Sequence, residues 1–256
     1  MEERCIAVLA GHTDQVLSAD YSPDGQLIVT ASRDRTVRVW DAATGEELGQ
    51  LLGHADTVAS ASYSPDGQSI VTASEDQTAR VWDAYTGEEL GQLLGHEGRV
   101  NSARYSPDAQ TIVTASKDCT ARLWDAATGV ELRQLLGHSQ RVFQAAFSPD
   151  GFIAVTASKD CTARLWDAAT GAELRQLLGH EDQVRSACYS PNGRTILTAS
   201  SDGTACLWLG ALRSILCRLE GHGDAVMGAS YSPDGRTIVT ASWDGAARVW
   251  NISDLV

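Results

Sequence analysis

Residues 113–138, VTASKDCTARLWDAATGVELRQLLGH, return at 155–180 with one change, Val130 to Ala172. A looser copy of the stretch occupies every other block of 42 residues. Histidines preceded by glycine fall at His12, His54, His96, His138, His180 and His222, and tryptophans at Trp40, Trp82, Trp124, Trp166, Trp208 and Trp250. Both series advance by 42, and no insertion interrupts them.

Within the first block the pattern predicts four short strands. Val16–Tyr21 is an apolar-leaning run, Ser22-Pro23-Asp24-Gly25 a turn, and Leu27–Ser32 a β-branched run. Arg33-Asp34-Arg35 makes a tight turn, and residues 36–40 alternate polar and apolar side chains with the period of a strand. Asp41 to Gly45 turns again before a fourth run at 48–52. Four strands in 42 residues describe an antiparallel meander and leave no room for a helix of ordinary length.

A sheet of that size cannot bury its own faces, so it must stack on a neighbour of the same period. The Gly-His start, the Ser-Pro-Asp-Gly turn, the Ser-x-Asp turn and the terminal Trp-Asp, held in register along nearly the whole chain, resemble WD40 repeats. The resemblance implies an all-β fold: a six-bladed WD40 β-propeller of four-stranded antiparallel blades, with residues 1–256 forming one domain.

The ends sharpen that expectation. Residues 5–9, CIAVL, match the position of QLL before each later Gly-His and read as a fourth strand without its first three. The last block supplies three strands and then only residues 251–256. The N-terminal strand is therefore expected to pair in the last blade and close the ring. The alternative is a piece of a larger ring, able to close by assembling with copies of itself.

Composition narrows the function classes. A net charge of -13, with 33 acidic against 20 basic residues, disfavours nucleic acid as a partner. The six cysteines show no metal-ligand spacing and read as free thiols of a reducing compartment. No run reaches membrane-spanning length, so a cytoplasmic, non-membrane protein is expected, with no cofactor and no metal.

Several blocks depart from the pattern. Ala109 replaces the glycine of the Ser-Pro-Asp-Gly turn, at a cost of about 1 kcal/mol if that position has positive φ. After Trp208 the usual Asp-Ala-Ala-Thr-Gly becomes Leu209 to Arg213, so that turn must be built differently. The pairs Glu46-Glu47 and Glu88-Glu89 open the outermost strands and read as edge protection.

Every block holds a His, a Ser two residues before an Asp, and a Trp. The sets are His12, Ser32, Asp34, Trp40; His54, Ser74, Asp76, Trp82; His96, Ser116, Asp118, Trp124; His138, Ser158, Asp160, Trp166; His180, Ser200, Asp202, Trp208; and His222, Ser242, Asp244, Trp250. Ser, His and Asp invite a hydrolase reading, but an active site is one constellation and here there are six. The WD40 resemblance implies a structural hydrogen-bonded relay instead. Its expected order is Asp to imidazole, imidazole to Ser hydroxyl, and hydroxyl to indole N–H. No catalytic residue is assigned.

If the repeated residues serve the scaffold, function belongs to positions that vary. The resemblance implies docking on the face that carries the first-strand entrances and the second-to-third-strand turns. That face picks Arg99, Lys117, Arg141, Lys159 and Arg185 as positive charge, Phe143 as an aromatic anchor, and Met227 with Trp243 as an apolar spot. An acidic peptide or acidic protein surface carrying a hydrophobic residue suits this set. The expected function is a non-enzymatic protein or peptide interaction scaffold; the alternative is a structural or self-associating repeat module.

Overall fold

The computed structural model describes residues 5, 7–210 and 215–255. They form six antiparallel sheets, each built from one repeat in chain order. Sheet one is β1 (Val16–Tyr21), β2 (Leu27–Ser32), β3 (Val37–Asp41) and β4 (Glu47–Leu51). Sheet two is β5 (Val58–Tyr63), β6 (Ser69–Ser74), β7 (Ala79–Asp83) and β8 (Glu89–Leu93). Sheet three is β9 (Val100–Tyr105), β10 (Thr111–Ser116), β11 (Ala121–Asp125) and β12 (Glu131–Leu135). Sheet four is β13 (Val142–Phe147), β14 (Ile153–Ser158), β15 (Ala163–Asp167) and β16 (Glu173–Leu177). Sheet five is β17 (Val184–Tyr189), β18 (Thr195–Ser200), β19 (Ala205–Leu209) and β20 (Ile215–Leu219). Sheet six has three strands, β21 (Val226–Tyr231), β22 (Thr237–Ser242) and β23 (Ala247–Asn251). The first two strands of sheet one fall where the alternation puts them, and the last two are displaced by one residue at their ends.

The chain falls into two compact units, residues 1–114 with 124–131, and residues 115–123 with 132–256. In the first, Val29, Ala31, Val37, Val39 and Leu51 of sheet one pack against Val58, Ala61, Tyr63, Ile70 and Trp82 of sheet two. Sheet two repeats the contact on sheet three through Val71, Ala73, Ala79, Val81 and Leu93. In the second unit, Val155, Ala157, Ala163, Leu165 and Leu177 of sheet four meet Val184, Ala187, Ile196, Cys206 and Trp208 of sheet five. The alanines sit where two sheets meet with nothing left exposed. Small side chains there let the sheets approach, which outweighs alanine's poor strand propensity.

Backbone bonds also cross between neighbouring sheets. The Ala61 N–H donates to the Ser18 hydroxyl at 3.1 Å, and the Ala187 N–H to the Gln144 side-chain oxygen at 3.0 Å. These bonds tie successive first strands together as the apolar contacts stack the sheet faces.

The expected ring closure is not made. Sheet six stays three-stranded, and the described residues 5 and 7–10 form no strand. Ala7 and Leu9 lie instead against the Gly45 turn of sheet one, within 2.8 and 3.5 Å of where a Cβ on that glycine would stand. Leu51 of sheet one sits similarly over the Gly87 turn of sheet two. The N-terminal segment thus has the position of a preceding sheet's fourth strand without pairing in one. Ile6 and the altered turn at 211–213 lie outside the described residues.

The turn at Ala109 has φ 59°, beside 72° at the matching Gly25, so the alanine does sit in left-handed backbone. A second left-handed position follows the tight-turn aspartate. It is Arg35, Gln77, Cys119 and Cys161 in the first four sheets, with φ of 71°, 73°, 72° and 67°, and glycine only at Gly203 and Gly245.

Candidate functional site

The repeated polar set forms a chain of hydrogen bonds whose middle member is a threonine. In sheet one the Trp40 indole N–H donates to the Thr30 hydroxyl at 2.8 Å, and that hydroxyl lies 2.8 Å from His12 Nε2. His12 Nδ1 is 2.8 Å from Asp34 Oδ2. Thr72, Thr114, Thr156, Thr198 and Thr240 take the same place between His and Trp in the other sheets.

The serines are elsewhere. Ser32 receives the Asp34 N–H at 3.1 Å and donates to the Asp14 carbonyl at 3.3 Å, and Ser74, Ser158, Ser200 and Ser242 repeat both contacts. Ser116 likewise accepts from Asp118 N–H at 3.1 Å. The expected Ser hydroxyl between imidazole and indole is therefore corrected to Thr, and Ser instead shapes the tight turn. The threonines stand in the sequence as a further periodic position, two residues before each serine.

Protonation follows from the partners. Burial opposes the charge on Asp34, and hydrogen bonds from Thr36, the Thr13 N–H and His12 overcome it, holding the carboxyl well below its usual range. Asp76, Asp160 and Asp202 show the same balance, and Asp244 is held down first by His222. An ionised Asp accepts the hydrogen bond from Nδ1–H, leaving the unprotonated Nε2 to accept from Thr O–H while the Thr oxygen accepts from Trp N–H. Burial pushes His180 toward that neutral form. Every group is satisfied, and each threonine hydroxyl is already engaged on both sides.

The varied positions gather differently. In sheets one, two, four, five and six the first strand carries a bulge: Val142 pairs Ser158 while Gln144 pairs Ala157, leaving Phe143 outside the ladder. Arg185 and Met227 are the bulged residues of β17 and β21. A bulge re-aims the extra side chain, which is why the variable series at this position is free of the strand's alternation.

Within the second unit four predicted residues from three sheets form one row. The Arg141 guanidinium lies 4.5 Å from the Phe143 ring centre, and that of Arg185 lies 4.8 Å from the same ring and 5.9 Å from the Trp243 ring. Arg185 Nε donates to the Ser201 hydroxyl at 2.7 Å, fixing the planar group between the two rings. Burial lowers the Arg185 pKa from its ordinary value. Trp243 is 64% exposed, the other rings and guanidinium groups half-buried. Sequence reasoning selected Arg141, Phe143, Arg185 and Trp243, and it put Ser201 at the same tight-turn position as Trp243 without selecting it as a contact.

The remaining candidates do not join this row. Arg99 pairs with Glu75 at 2.6 Å in the first unit. Lys117 is exposed, and Lys159 and Met227 are half-buried. Sequence reasoning also missed Arg104, which reaches Asp20 of sheet one at 2.6 Å. Among the described residues no group of His, Cys, Asp or Glu is placed to hold a metal ion, and no helix is long and apolar enough to cross a membrane. All six cysteines are free thiols.

Comparison with known proteins agrees with the repeat. The family described as WD domain, G-beta repeat matches at residues 3–41, 45–83, 87–125, 129–167, 171–208 and 213–251. Protein Mut11 of Chlamydomonas reinhardtii is 55% identical over 42 residues, 16% of this chain and 11% of that protein. An uncharacterized WD repeat-containing protein, sll1491 of Synechocystis, is 49% identical over 41 residues, 16% of this chain and 12% of its own. The transcriptional repressor rco-1 of Neurospora crassa is 48% identical over 42 residues, 16% of this chain and 7% of that protein. Each match is one repeat long and spans a small part of the relative.

Proposed function

The chain belongs to the WD40 repeat family, and we propose that it is a non-enzymatic protein or peptide interaction scaffold that docks partners on the row Arg141, Phe143, Arg185 and Trp243. Relatives that share the repeat are named for different roles, a transcriptional repressor and a ribosome biogenesis protein among them. A scaffold with a changeable face accounts for that pattern.

The observation that carries the reading is the Arg185 guanidinium held between two aromatic rings. Such stacking is worth about 0.5–1 kcal/mol at exposed sites and about 2 when desolvated. It presents the cation rigidly, with its rotamer fixed before a partner arrives. Two arginines and an exposed indole in an acidic protein suit an acidic segment bearing one apolar side chain: the carboxylates meet the guanidinium groups and the apolar group covers Trp243.

A display library of short peptides panned against residues 1–256 tests this. Acidic peptides with one aromatic or branched aliphatic residue should be enriched, and Arg185→Ala and Phe143→Ala should each weaken their capture. Enrichment of no peptide class, or capture indifferent to both substitutions, would overturn the proposal.

A further inference from the structure

We propose that the seam between the fourth strand of sheet one and the last turn of sheet two is a second docking site. It takes a basic peptide segment in which a large apolar side chain stands beside a lysine or arginine. The seam lies within the first compact unit and shares no residue with the docking row.

A cavity of about 260 Å³ opens there, walled by Leu27, Val39, Leu48, Gly49, Leu51 and Tyr85. A smaller recess of about 130 Å³ shares Leu27, Ala84 and Tyr85 with it and is lined also by Asp24 and Asp66. The larger cavity falls below the roughly 300–1,000 Å³ of small-molecule sites, a size that suits one peptide side chain.

In the second unit an arginine closes the matching seams. Arg133, the counterpart of Gly49 in sheet three, lies over the Gly171 turn and donates from Nε to the Ala169 carbonyl at 3.1 Å. Arg175 of sheet four donates to the Gly210 carbonyl at 2.9 Å. At Gly49 a Cβ would meet nothing within 4 Å, so the seam stays open. Sheet two also has a glycine here, Gly91, but across from it sheet three offers only Ala127 where sheet two presents Tyr85. Tyr85 is 82% exposed and borders both recesses. A ring so exposed contributes little to its own fold, whereas aromatic side chains of this kind anchor interfaces.

Leu27 is a further departure. Its counterparts in sheets two, three, five and six are Ser69, Thr111, Thr195 and Thr237, and only sheet four shares the apolar choice, with Ile153. Tyr231 uses the Thr195 hydroxyl, 2.9 Å away. Tyr63, which has Leu27 at that place, is buried, and among the described residues its hydroxyl has no partner. An unpaired buried hydroxyl costs stability. The fold alone is better served by Ser or Thr at 27, which points to a use for the apolar wall outside the fold.

The smaller recess sets the sign of the ligand. Asp24 Oδ1 accepts from the Ser22 hydroxyl at 2.6 Å and the Gln26 N–H at 3.0 Å, and Asp66 Oδ1 accepts from Ser64 and Gln68 at the same distances. These bonds hold both carboxyls below their ordinary range, so both are charged at neutral pH. A lysine or arginine reaching this pair places the neighbouring apolar side chain over the larger cavity.

The chain's own repeats supply the test variants. Gly49→Arg copies Arg133, and Tyr85→Ala copies Ala127. Asp24→Asn with Asp66→Asn copies Asn192, whose Oδ1 accepts from the Ser190 hydroxyl and the Arg194 N–H at 2.8 and 3.0 Å. Circular dichroism checks that each variant folds. A display library of short random peptides panned on residues 1–256 should enrich a class with Lys or Arg next to Leu, Ile, Met or Phe. One such peptide, fluorescently labelled, is titrated by anisotropy. Gly49→Arg, Tyr85→Ala and the paired Asn change should each weaken it by about tenfold or more, and the Asn pair should also remove most of its salt dependence. Arg185→Ala should leave this peptide's affinity unchanged, and Gly49→Arg should leave acidic-peptide capture unchanged, so each site can fail without the other. No enrichment of the basic class, selected peptides that lack a cation, affinity indifferent to Gly49→Arg and Tyr85→Ala, or loss of binding on Arg185→Ala would each overturn the proposal.

Discussion

The Trp166 indole N–H donates to the Thr156 hydroxyl at 2.9 Å, and the same hydroxyl meets His138 Nε2 at 2.7 Å. One side chain on β14 therefore joins the third strand of its sheet to the Gly-His turn that precedes the first.

Thr156→Val keeps the shape and removes the hydroxyl, stranding a buried indole N–H and an imidazole nitrogen together. Urea unfolding should show a loss of about 1–3 kcal/mol. Ser158→Ala removes bonds to the Asp160 N–H and to the carbonyls of Gln140 and Arg141, but leaves the His-Thr-Trp chain intact. It should leave the histidine's NMR ring signals in place, whereas Thr156→Val should shift them.

Acid should unfold the protein through the relay carboxylates. Asp160 has a folded pKa held below its ordinary 3.8, because hydrogen bonds from His138, Thr162 and the Ser139 N–H outweigh burial. The folded state therefore binds fewer protons than the unfolded one once pH drops toward that value. This stabilisation is complete above about pH 5 and is lost as pH falls through and below about pH 4. His180, lowered from 6.5 by burial, begins a shallower decline just below that value. Urea midpoints measured against falling pH should therefore drop gently first, through His180, and then steeply below about pH 4, through the carboxylates, and Asp160→Asn should be less stable at neutral pH with a shallower acid limb.

The left-handed turn positions offer stabilising changes. Ala109→Gly and Gln77→Gly relieve backbone at φ 59° and 73°. Each should raise stability by up to about 1 kcal/mol, reduced by the greater freedom glycine gives the unfolded chain. Gly25→Ala, where a Cβ meets nothing within 4 Å, should cost a similar amount through backbone strain alone. Thermal unfolding of the three variants checks both signs.

The strands were legible because alternation and turn residues recur at fixed offsets, and residues such as Trp40 and Val58 went to the core with them. Three things were not. The bulge that frees Phe143 and Arg185 from the ladder is a matter of backbone register, and no residue type marks it. Thr30 shares a strand face with Ser32, so two hydroxyls competed for one role and only geometry separates them. Closure through residues 5–9 looked complete in one dimension, but whether distant ends meet depends on rotation accumulated from sheet to sheet, which no local motif encodes. The docking row was half visible: its arginines and aromatics stood out as variable positions, whereas the pairing of Arg99 with Glu75 removed one expected member.

The measurement that bears most directly on the docking row is a double-mutant cycle. Titration calorimetry of an enriched acidic peptide would be run against wild type, Phe143→Ala, Arg185→Ala and the double variant. Because Arg185 is held on the Phe143 ring, the two single losses should overlap, the double variant binding little worse than either. Losses that add, or a peptide that binds all four proteins equally, would contradict the account.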